Sequence, residues 1–137
     1  YSIFSGNIFF EDAGIFGIIA GTGNNKIKEF ISVLCDELIN SPKNLSEEEI
    51  LKAKAKLKFS LVKSLESSRS NAGSCADDLL YYDRIIEVEE QLEKINKVSK
   101  ESIQKIVTKM LSSNPTIASI GPIKNVEKLE NLRSRFS

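Results

Sequence analysis

Residues 9–23 constrain the fold of this chain most, because they join a short polar turn to a long uncharged apolar run. Residues 11–14, Glu-Asp-Ala-Gly, supply the turn, and Gly14 is free to take a positive φ there. Residues 14–20 are almost wholly apolar, which is typical of a central strand buried on both faces. With residues 1–10 as its first strand, this stretch predicts a β-hairpin.

Glycines at two places give further detail of the predicted hairpin. Gly17 lies inside the predicted second strand, where glycine usually marks a bulge or a close approach of backbone. Gly21-Thr22-Gly23 then ends the strand and leads the chain into a helix.

Apolar residues recur at helical spacing through most of the remaining sequence. Pro42 is expected to stop the first helix, and Ser46 with Glu49 forms the pattern of a capping box for the second. A β-rich segment at 116–120 predicts one late strand. The predicted helices cover about 24–40, 46–65, 72–82, 87–97, 99–111 and 125–136.

This order of elements predicts an α+β fold, with a mostly antiparallel sheet and helices packed on one of its faces. The 137 residues suffice for one domain with a core. Because the chain opens inside a predicted strand, we expect residues 1–137 to be a single domain fragment. It would be a C-terminal half-domain that lacks its upstream strands and a helix.

Composition excludes several classes of function. Lys+Arg and Asp+Glu both number 19, so the formal net charge is zero, which argues against a general nucleic-acid binder. No apolar run is long enough to cross a bilayer. The chain has no histidine, which excludes a histidine-based zinc site and Ser-His or Cys-His catalysis within these residues.

Charged clusters in the sequence have structural explanations beside functional ones. Glu47, Glu48 and Glu49 resemble a metal cluster, but a capping box at the start of a helix explains them fully. Asp77 and Asp78 are adjacent on a helix and do not face each other, so shared acid–base chemistry is not expected. The lysines between 52 and 63 form either a basic binding face or a solvated helix surface, and nearby glutamates favour the latter.

The cysteines and the tyrosine pair also allow two interpretations. Cys35 and Cys75 are expected to be buried thiols, and two cysteines alone establish no disulfide framework. Tyr81 and Tyr82 beside Arg84 could contact a ligand, but amphipathic side chains at a helix end more often cover the rim of a core.

Four motifs in order resemble the pitrilysin/insulinase family of zinc peptidases, which includes the mitochondrial processing peptidases. Residues 1–3 and 12–22 are similar to the family hairpin "AYS…D-x-G-L-F-G-I-Y-A-G-T", and 46–58 to "S/T-E-E-E-L-x-R-A-K-x-Q-L-K". Residues 64–67 and 79–84 are similar to "L-E-S…L-L-x-Y-G-R". Residues 115–122 are similar to the closing strand "P-T-L-A-x-x-G-P".

The resemblance implies the C-terminal half of such a peptidase, in which two similar α+β halves enclose a chamber. Zinc would be bound outside this segment, by an H-x-x-E-H helix of the other half, so this segment alone should be inactive. The partners implied are peptide substrates, the N-terminal half of the same protein, and a second subunit in a homo- or heterodimer. A bacterial cytoplasmic location is expected, with the mitochondrial matrix and the periplasm as alternatives.

One catalytic residue is carried over from the family. Tyr1 matches the tyrosine that ends the segment "R-E-x-R-G-L-A-Y", where a phenol can donate to the scissile carbonyl or the developing oxyanion. The family's accompanying arginine would lie upstream. From the sequence alone, a strand aromatic is the preferred explanation of Tyr1, and the resemblance makes the catalytic role equally well supported.

Three hypotheses about function follow. The chain is part of a zinc metalloendopeptidase, or part of a non-catalytic homologous subunit that acts in assembly or structure. The third is a free-standing interaction module without relation to peptidases. An H-x-x-E-H motif in preceding sequence would favour the first over the second.

Overall fold

A computed structural model describes residues 2–136, and the predicted hairpin is present in it. Strand β1, Ser2–Phe9, pairs antiparallel with β2, Gly14–Gly21. The register runs without interruption from the pair Ser2 and Gly21 to the pair Phe9 and Gly14. The Phe10 N–H donates to the Ala13 carbonyl at 2.8 Å and closes the turn.

The hairpin glycines do not have the conformations that the sequence predicted. Among the glycines that the structure describes, only Gly121 has a positive φ, of 115°, so the prediction for Gly14 is wrong. Gly17 pairs directly with Gly6 in the unbroken register, which excludes a bulge. A Cβ built on Gly17 would meet nothing within 4 Å, so no neighbouring backbone approaches it closely either.

The prediction that residues 14–20 are buried on both faces is wrong. Ile19 is 74% exposed, and Phe4, its cross-strand partner, is 67% exposed. The physical reason is that a two-stranded ribbon has no layer of its own to cover it, and its apolar side chains alternate over both faces.

The late strand is absent from the described part of the chain. Residues 116–120 have no regular secondary structure, and Ile120 is fully exposed. β-propensity depends on a neighbouring strand and a covered face, and this segment pairs with neither hairpin strand. The sheet formed by residues 2–136 therefore has two strands.

The α+β class is confirmed, since six α-helices follow the hairpin within residues 2–136. A 3-10 turn at Ile123–Asn125 precedes the last helix. The helices are α1, Ile27–Asn44; α2, Glu47–Leu65; α3, Ser68–Tyr82; α4, Val88–Lys97; α5, Lys100–Leu111; and α6, Leu129–Arg135.

The chain divides into two compact units, and the first combines Tyr1–Asn44 with Gln104–Ser137. Its core is formed by Ile31 and Cys35 of α1 with Leu132 of α6, and the side chains of Ile27, Phe30, Val126 and Phe136 pack around it. The apolar residues at helical spacing in α1 thus face this core.

The first helix does not stop at Pro42. Helix α1 continues to Asn44, and Pro42 lies buried inside it. Gln104 Nε2 donates to the Pro42 carbonyl oxygen at 3.1 Å. Burial and this side-chain hydrogen bond favour the continued helix over the break that proline normally causes.

The second unit, Leu45–Ile103, is helical, with α2 packed against α3 and α4. Its capping box is confirmed: Glu49 N–H donates to Ser46 Oγ at 3.2 Å, and Ser46 N–H donates to Glu49 Oε2 at 2.9 Å. Ile50, in the first turn of α2, is buried. Leu57, two turns further along the helix, is exposed, so the apolar residues of α2 are only partly internal.

We expect Ser46→Ala to destabilise the chain by about 1 kcal/mol, because it leaves an amide of the first turn of α2 without its acceptor. The thermal midpoint measured by circular dichroism would fall. Ser60→Ala, at an exposed position inside the same helix, is the matched control. An equal effect of the two substitutions would contradict the role of the cap.

Candidate functional site

Tyr1, the carried-over catalytic residue, lies outside the described residues, which begin at its neighbour Ser2. Ser2 is the first residue of β1 and pairs with Gly21, the last residue of β2. The end of the hairpin opposite the turn is therefore the described surface next to Tyr1 in sequence.

A shallow depression lies at this end of the hairpin. It is lined by Ser2, Gly21, Thr22 and Gly23. The lining residues include two that carry hydroxyl groups, Ser2 and Thr22, and a Gly-Thr-Gly segment of the main chain. These groups can donate to and accept from a peptide main chain, but none of them titrates near neutral pH.

The acidic residues at the start of α2 are used by the helix itself. Glu49 accepts from the amide and the hydroxyl of Ser46, and Glu48 pairs with Lys52 at 2.7 Å. The hydrogen bond from the Ser46 amide is the main cause that lowers the pKa of Glu49. Across residues 2–136 no three His, Cys, Asp or Glu side chains converge to hold a metal ion.

The two aspartates of α3 have separate environments. Asp78 Oδ2 accepts from the Ile86 N–H at 2.9 Å, which fixes the segment after α3. Ile86 is buried, and its carbonyl accepts from Gln91 Nε2 at 3.2 Å. Asp77 is exposed. Asp78 is therefore a structural acceptor.

Sequence analysis missed the ion network around Glu90. Arg84 donates to both carboxylate oxygens of Glu90, at 2.8 and 2.9 Å, and Lys94 Nζ lies 2.9 Å from Glu90 Oε1. The hydrogen bonds from Arg84 and then Lys94 lower the pKa of Glu90 from 4.5 to about 2. Glu90 and Lys94 are four residues apart on one helix, a spacing that predicts an ion pair. Arg84 lies in the preceding loop, so helical spacing could not predict its contact with Glu90.

Tyr81 and Tyr82 do not join this network. Both rings are largely exposed at the end of α3, and Asp83 follows in the left-handed conformation, with φ 52°. Arg84 is held by Glu90. The tyrosine pair thus lies at a helix end.

The lysines of α2 include two with partners inside the second unit. Lys52 pairs with Glu48, and Lys54 Nζ donates to the Asn96 carbonyl at the end of α4, at 2.9 Å. These contacts favour the interpretation of the lysine run as a helix surface over that of a binding face.

The structure separates the two cysteines into different environments, and both are free thiols. Cys35 is buried, as predicted, and burial is the main cause that raises the pKa of its thiol. Cys75 is half-buried on α3, so the prediction of a buried thiol is wrong for this residue.

Among residues 2–136, no helix is both long and apolar enough to cross a membrane.

Comparison with known proteins shows which family of domains this chain is similar to. The model of the family described as "Peptidase M16 inactive domain" matches residues 1–57, which include the hairpin, α1 and the capping box of α2. The α+β fold agrees with a match to a domain of this family.

Curated relatives cover nearly the whole chain. A mitochondrial-processing peptidase subunit alpha-2 of Dictyostelium discoideum is 27% identical over 95% of this chain and 29% of its own length. The human mitochondrial-processing peptidase subunit beta is 26% identical over 99% of this chain and 28% of its own length. An uncharacterized zinc protease of Rickettsia felis is 28% identical over 89% of this chain and 30% of its own length.

These matches confirm the resemblance that the motif order predicted. The chain is similar to the M16 inactive domain over residues 1–57 and, over nearly its whole length, to subunits of the mitochondrial processing peptidases. It spans less than a third of the length of these curated relatives.

We expect Arg84→Ala to raise the pKa of Glu90 toward 4.5, because the largest cause of its depression is removed. A lowered carboxyl pKa contributes stability that is present above pH 4.5 and lost as the pH falls toward 2. The variant should therefore lose less stability over this interval than the unsubstituted chain.

An NMR titration of the Glu90 carboxyl carbon, together with thermal midpoints at pH 7 and pH 3, checks this prediction. Lys97→Ala is the control, since Lys97 pairs with Glu93 at 3.5 Å and does not reach Glu90. An unchanged Glu90 titration in Arg84→Ala would contradict the assignment.

Proposed function

We propose that this chain is the C-terminal, non-zinc-binding part of a zinc metalloendopeptidase that cleaves peptides or presequences in a closed chamber. The match of residues 1–57 to the M16 inactive domain carries this proposal. Relatives named as processing-peptidase subunits and as a zinc protease support it. The activity belongs to the whole protein, and this segment alone should be inactive.

Zinc would be bound outside these residues. The chain has no histidine, and Glu48 and Glu49 at the start of α2 are engaged in an ion pair and a helix cap. This donor set does not fit a catalytic zinc site, which commonly uses histidine ligands and an open position. No step of metal chemistry is therefore assigned to this segment.

The proposed contribution of this chain to the reaction is Tyr1. Its phenol would donate to the scissile carbonyl or the developing oxyanion, as the family resemblance implies. The first described residue after it, Ser2, is paired with Gly21 at the start of β1. The hydroxyls and main chain around the depression at Ser2 and Thr22 are compatible with a peptide lying nearby.

The proposed partners are peptide substrates, the N-terminal half of the same protein, and a second subunit in a homo- or heterodimer. Relatives named as alpha and beta subunits support a partnership of this kind. The proposed compartment is the bacterial cytoplasm, with the mitochondrial matrix or the periplasm as alternatives. The relatives include both a mitochondrial-processing peptidase subunit and a bacterial zinc protease.

The second candidate is a part of a non-catalytic homologous subunit that acts in assembly or structure. The description of the matched family as an inactive domain, together with relatives that are named as subunits, favours keeping it. Sequencing the gene around this segment separates the two: an H-x-x-E-H motif upstream supports the peptidase, and a complete upstream half without that motif supports the subunit.

We expect Tyr1→Phe in the intact protein to lower kcat by about 10²–10³-fold, as for the loss of one oxyanion donor. Zinc content should stay unchanged, because the substitution removes no metal ligand. Peptide hydrolysis and metal analysis on the same preparation make the measurement.

Tyr82→Phe is the matched control, since Tyr82 is an exposed tyrosine at the end of α3. Turnover that is unchanged in Tyr1→Phe at full zinc occupancy would contradict the role of Tyr1. A protein that binds no zinc and cleaves no peptide would contradict the peptidase proposal itself.

A further inference from the structure

The two faces of the hairpin carry different side chains. Successive residues of a strand point to opposite faces and paired residues share a face, so the register assigns every position to one of them. The Phe4 face is formed by Ser2, Phe4, Gly6 and Ile8 of β1 with Ile15, Gly17, Ile19 and Gly21 of β2. The Asn7 face is formed by Ile3, Ser5, Asn7 and Phe9 of β1 with Gly14, Phe16, Ile18 and Ala20 of β2.

The Phe4 face has the character of a packing surface. Apart from Ser2 at its end, it carries only apolar residues and glycines. Gly6 pairs with Gly17, and the Phe4 ring lies over Gly6, where a built Cβ would come within 3.0 Å of the ring atom Cε1. Glycine pairs of this kind leave room for close packing. This face therefore offers almost nothing with which to recognise a polar ligand.

The Asn7 face combines two polar side chains with aliphatic and aromatic ones. Ser5 and Asn7 are both exposed, and they pair across the hairpin with Ile18 and Phe16, respectively. Binding sites in proteins are mostly apolar and contain a small number of placed polar groups that fix the orientation of the ligand. The composition of the Asn7 face fits that description.

Asn7 has no structural explanation within the described part of the chain. Asparagine is depleted in strands, so its place in the middle of β1 goes against local preference. In residues 2–136 neither the Asn7 amide nor the Ser5 hydroxyl has a hydrogen-bond partner. Asn125, in contrast, has its Nδ2 3.4 Å from Asn24 Oδ1. Residues that break a local rule without a structural gain are expected at functional sites.

We propose that the Asn7 face binds the main chain of an extended peptide substrate, with the Ser5 hydroxyl and the Asn7 amide as its polar contacts. This inference rests on the proposed function, because the substrate is the peptide that the intact protein would cleave.

The spacing of the two side chains matches an extended peptide. Ser5 and Asn7 are two positions apart in a strand, which places them about 7 Å apart along it. An extended peptide repeats its outward groups at the same distance, so the two side chains can contact successive main-chain groups on one side of it. The Asn7 amide both donates and accepts, which suits the N–H and the C=O of a peptide.

The position of these contacts implies a dependence on substrate length. Asn7 lies five residues after Ser2 in β1, which is roughly 17 Å along the strand. An extended peptide needs about five residues to cover this distance. Ser2 is the described residue next to Tyr1, the proposed catalytic group. Asn7 would therefore contact a part of the substrate that lies several residues from the cleaved bond.

Steady-state kinetics of Asn7→Ala in the intact protein test the proposal. For a long presequence peptide, KM should rise about 3–10-fold, as for the loss of one neutral hydrogen bond. The value of kcat and the zinc content should stay unchanged, because the lost contact is remote from the reacting atoms. For a peptide cut to about three residues on either side of the cleaved bond, KM should not change, since it is too short to reach Asn7.

Ile8→Val is the matched control, because Ile8 is the next residue of β1 and lies on the Phe4 face. It should leave KM unchanged for both peptides. An unchanged KM of Asn7→Ala for the long peptide would overturn the proposal, and so would an equal rise for the long and the short peptide. A lower thermal midpoint of Asn7→Ala with unchanged KM would make Asn7 a structural contact.

Peptide binding without turnover separates this inference from the proposed function. Fluorescence anisotropy of the labelled presequence peptide with the zinc-free intact protein gives a Kd, which Asn7→Ala should raise by the same factor as KM. A protein that binds the peptide through Asn7 but cleaves none would contradict the peptidase proposal alone. A protein that cleaves the peptide, with a Kd that Asn7→Ala leaves unchanged, would contradict the role of Asn7 alone.

Discussion

The tight turn between Phe10 and Ala13 is the constraint on which the hairpin depends. A strand register is usually specified by one buried face, since a slip of one residue would turn its apolar side chains to solvent. Here both faces are apolar and both are exposed, so a slip carries little such penalty. The turn therefore fixes the register, and through it which backbone groups face outward and where β1 begins beside β2.

The helices are stabilised by contacts of a different kind. In the first unit, Leu132 of α6 packs on Ile31 and Cys35 of α1, and Arg135 donates to Glu127 at 3.2 Å and lies 3.5 Å from Ser32 Oγ. The last helix thus holds α1 by a small apolar core with a polar rim. In the second unit, helix ends are fixed by local groups, such as the Ser46 cap and the Asp78 carboxylate that accepts from Ile86.

Sequence reasoning succeeded where the determining interaction is local. The hairpin turn and the capping box at Ser46 and Glu49 follow from residues within a few positions of one another. It failed where distant residues decide. Pro42 stays helical in a buried environment that includes Gln104, and residues 116–120 have strand propensity without a strand beside them.

The same distinction applies to the candidate site. The motif order predicted the family, because motifs record local sequence, and the comparisons confirmed it. Exposure of the hairpin was not predictable, because an apolar run indicates that burial is favourable but does not specify which segment provides the cover. The bidentate contact of Arg84 with Glu90 was also missed, since a loop residue and a helix residue meet there.

The charged groups of this chain are used to fix structure, and this bears on how it can contribute to catalysis. A general base works best with a pKa near the operating pH, whereas Arg84 and Lys94 hold the pKa of Glu90 at about 2. Glu49 is likewise held as a carboxylate by the Ser46 amide, which lowers its pKa. The depression beside the start of β1 has two hydroxyl-bearing residues in its lining, Ser2 and Thr22. Under the proposed function, this chain would orient a peptide by hydrogen bonds, and proton transfer would fall to groups outside the described residues.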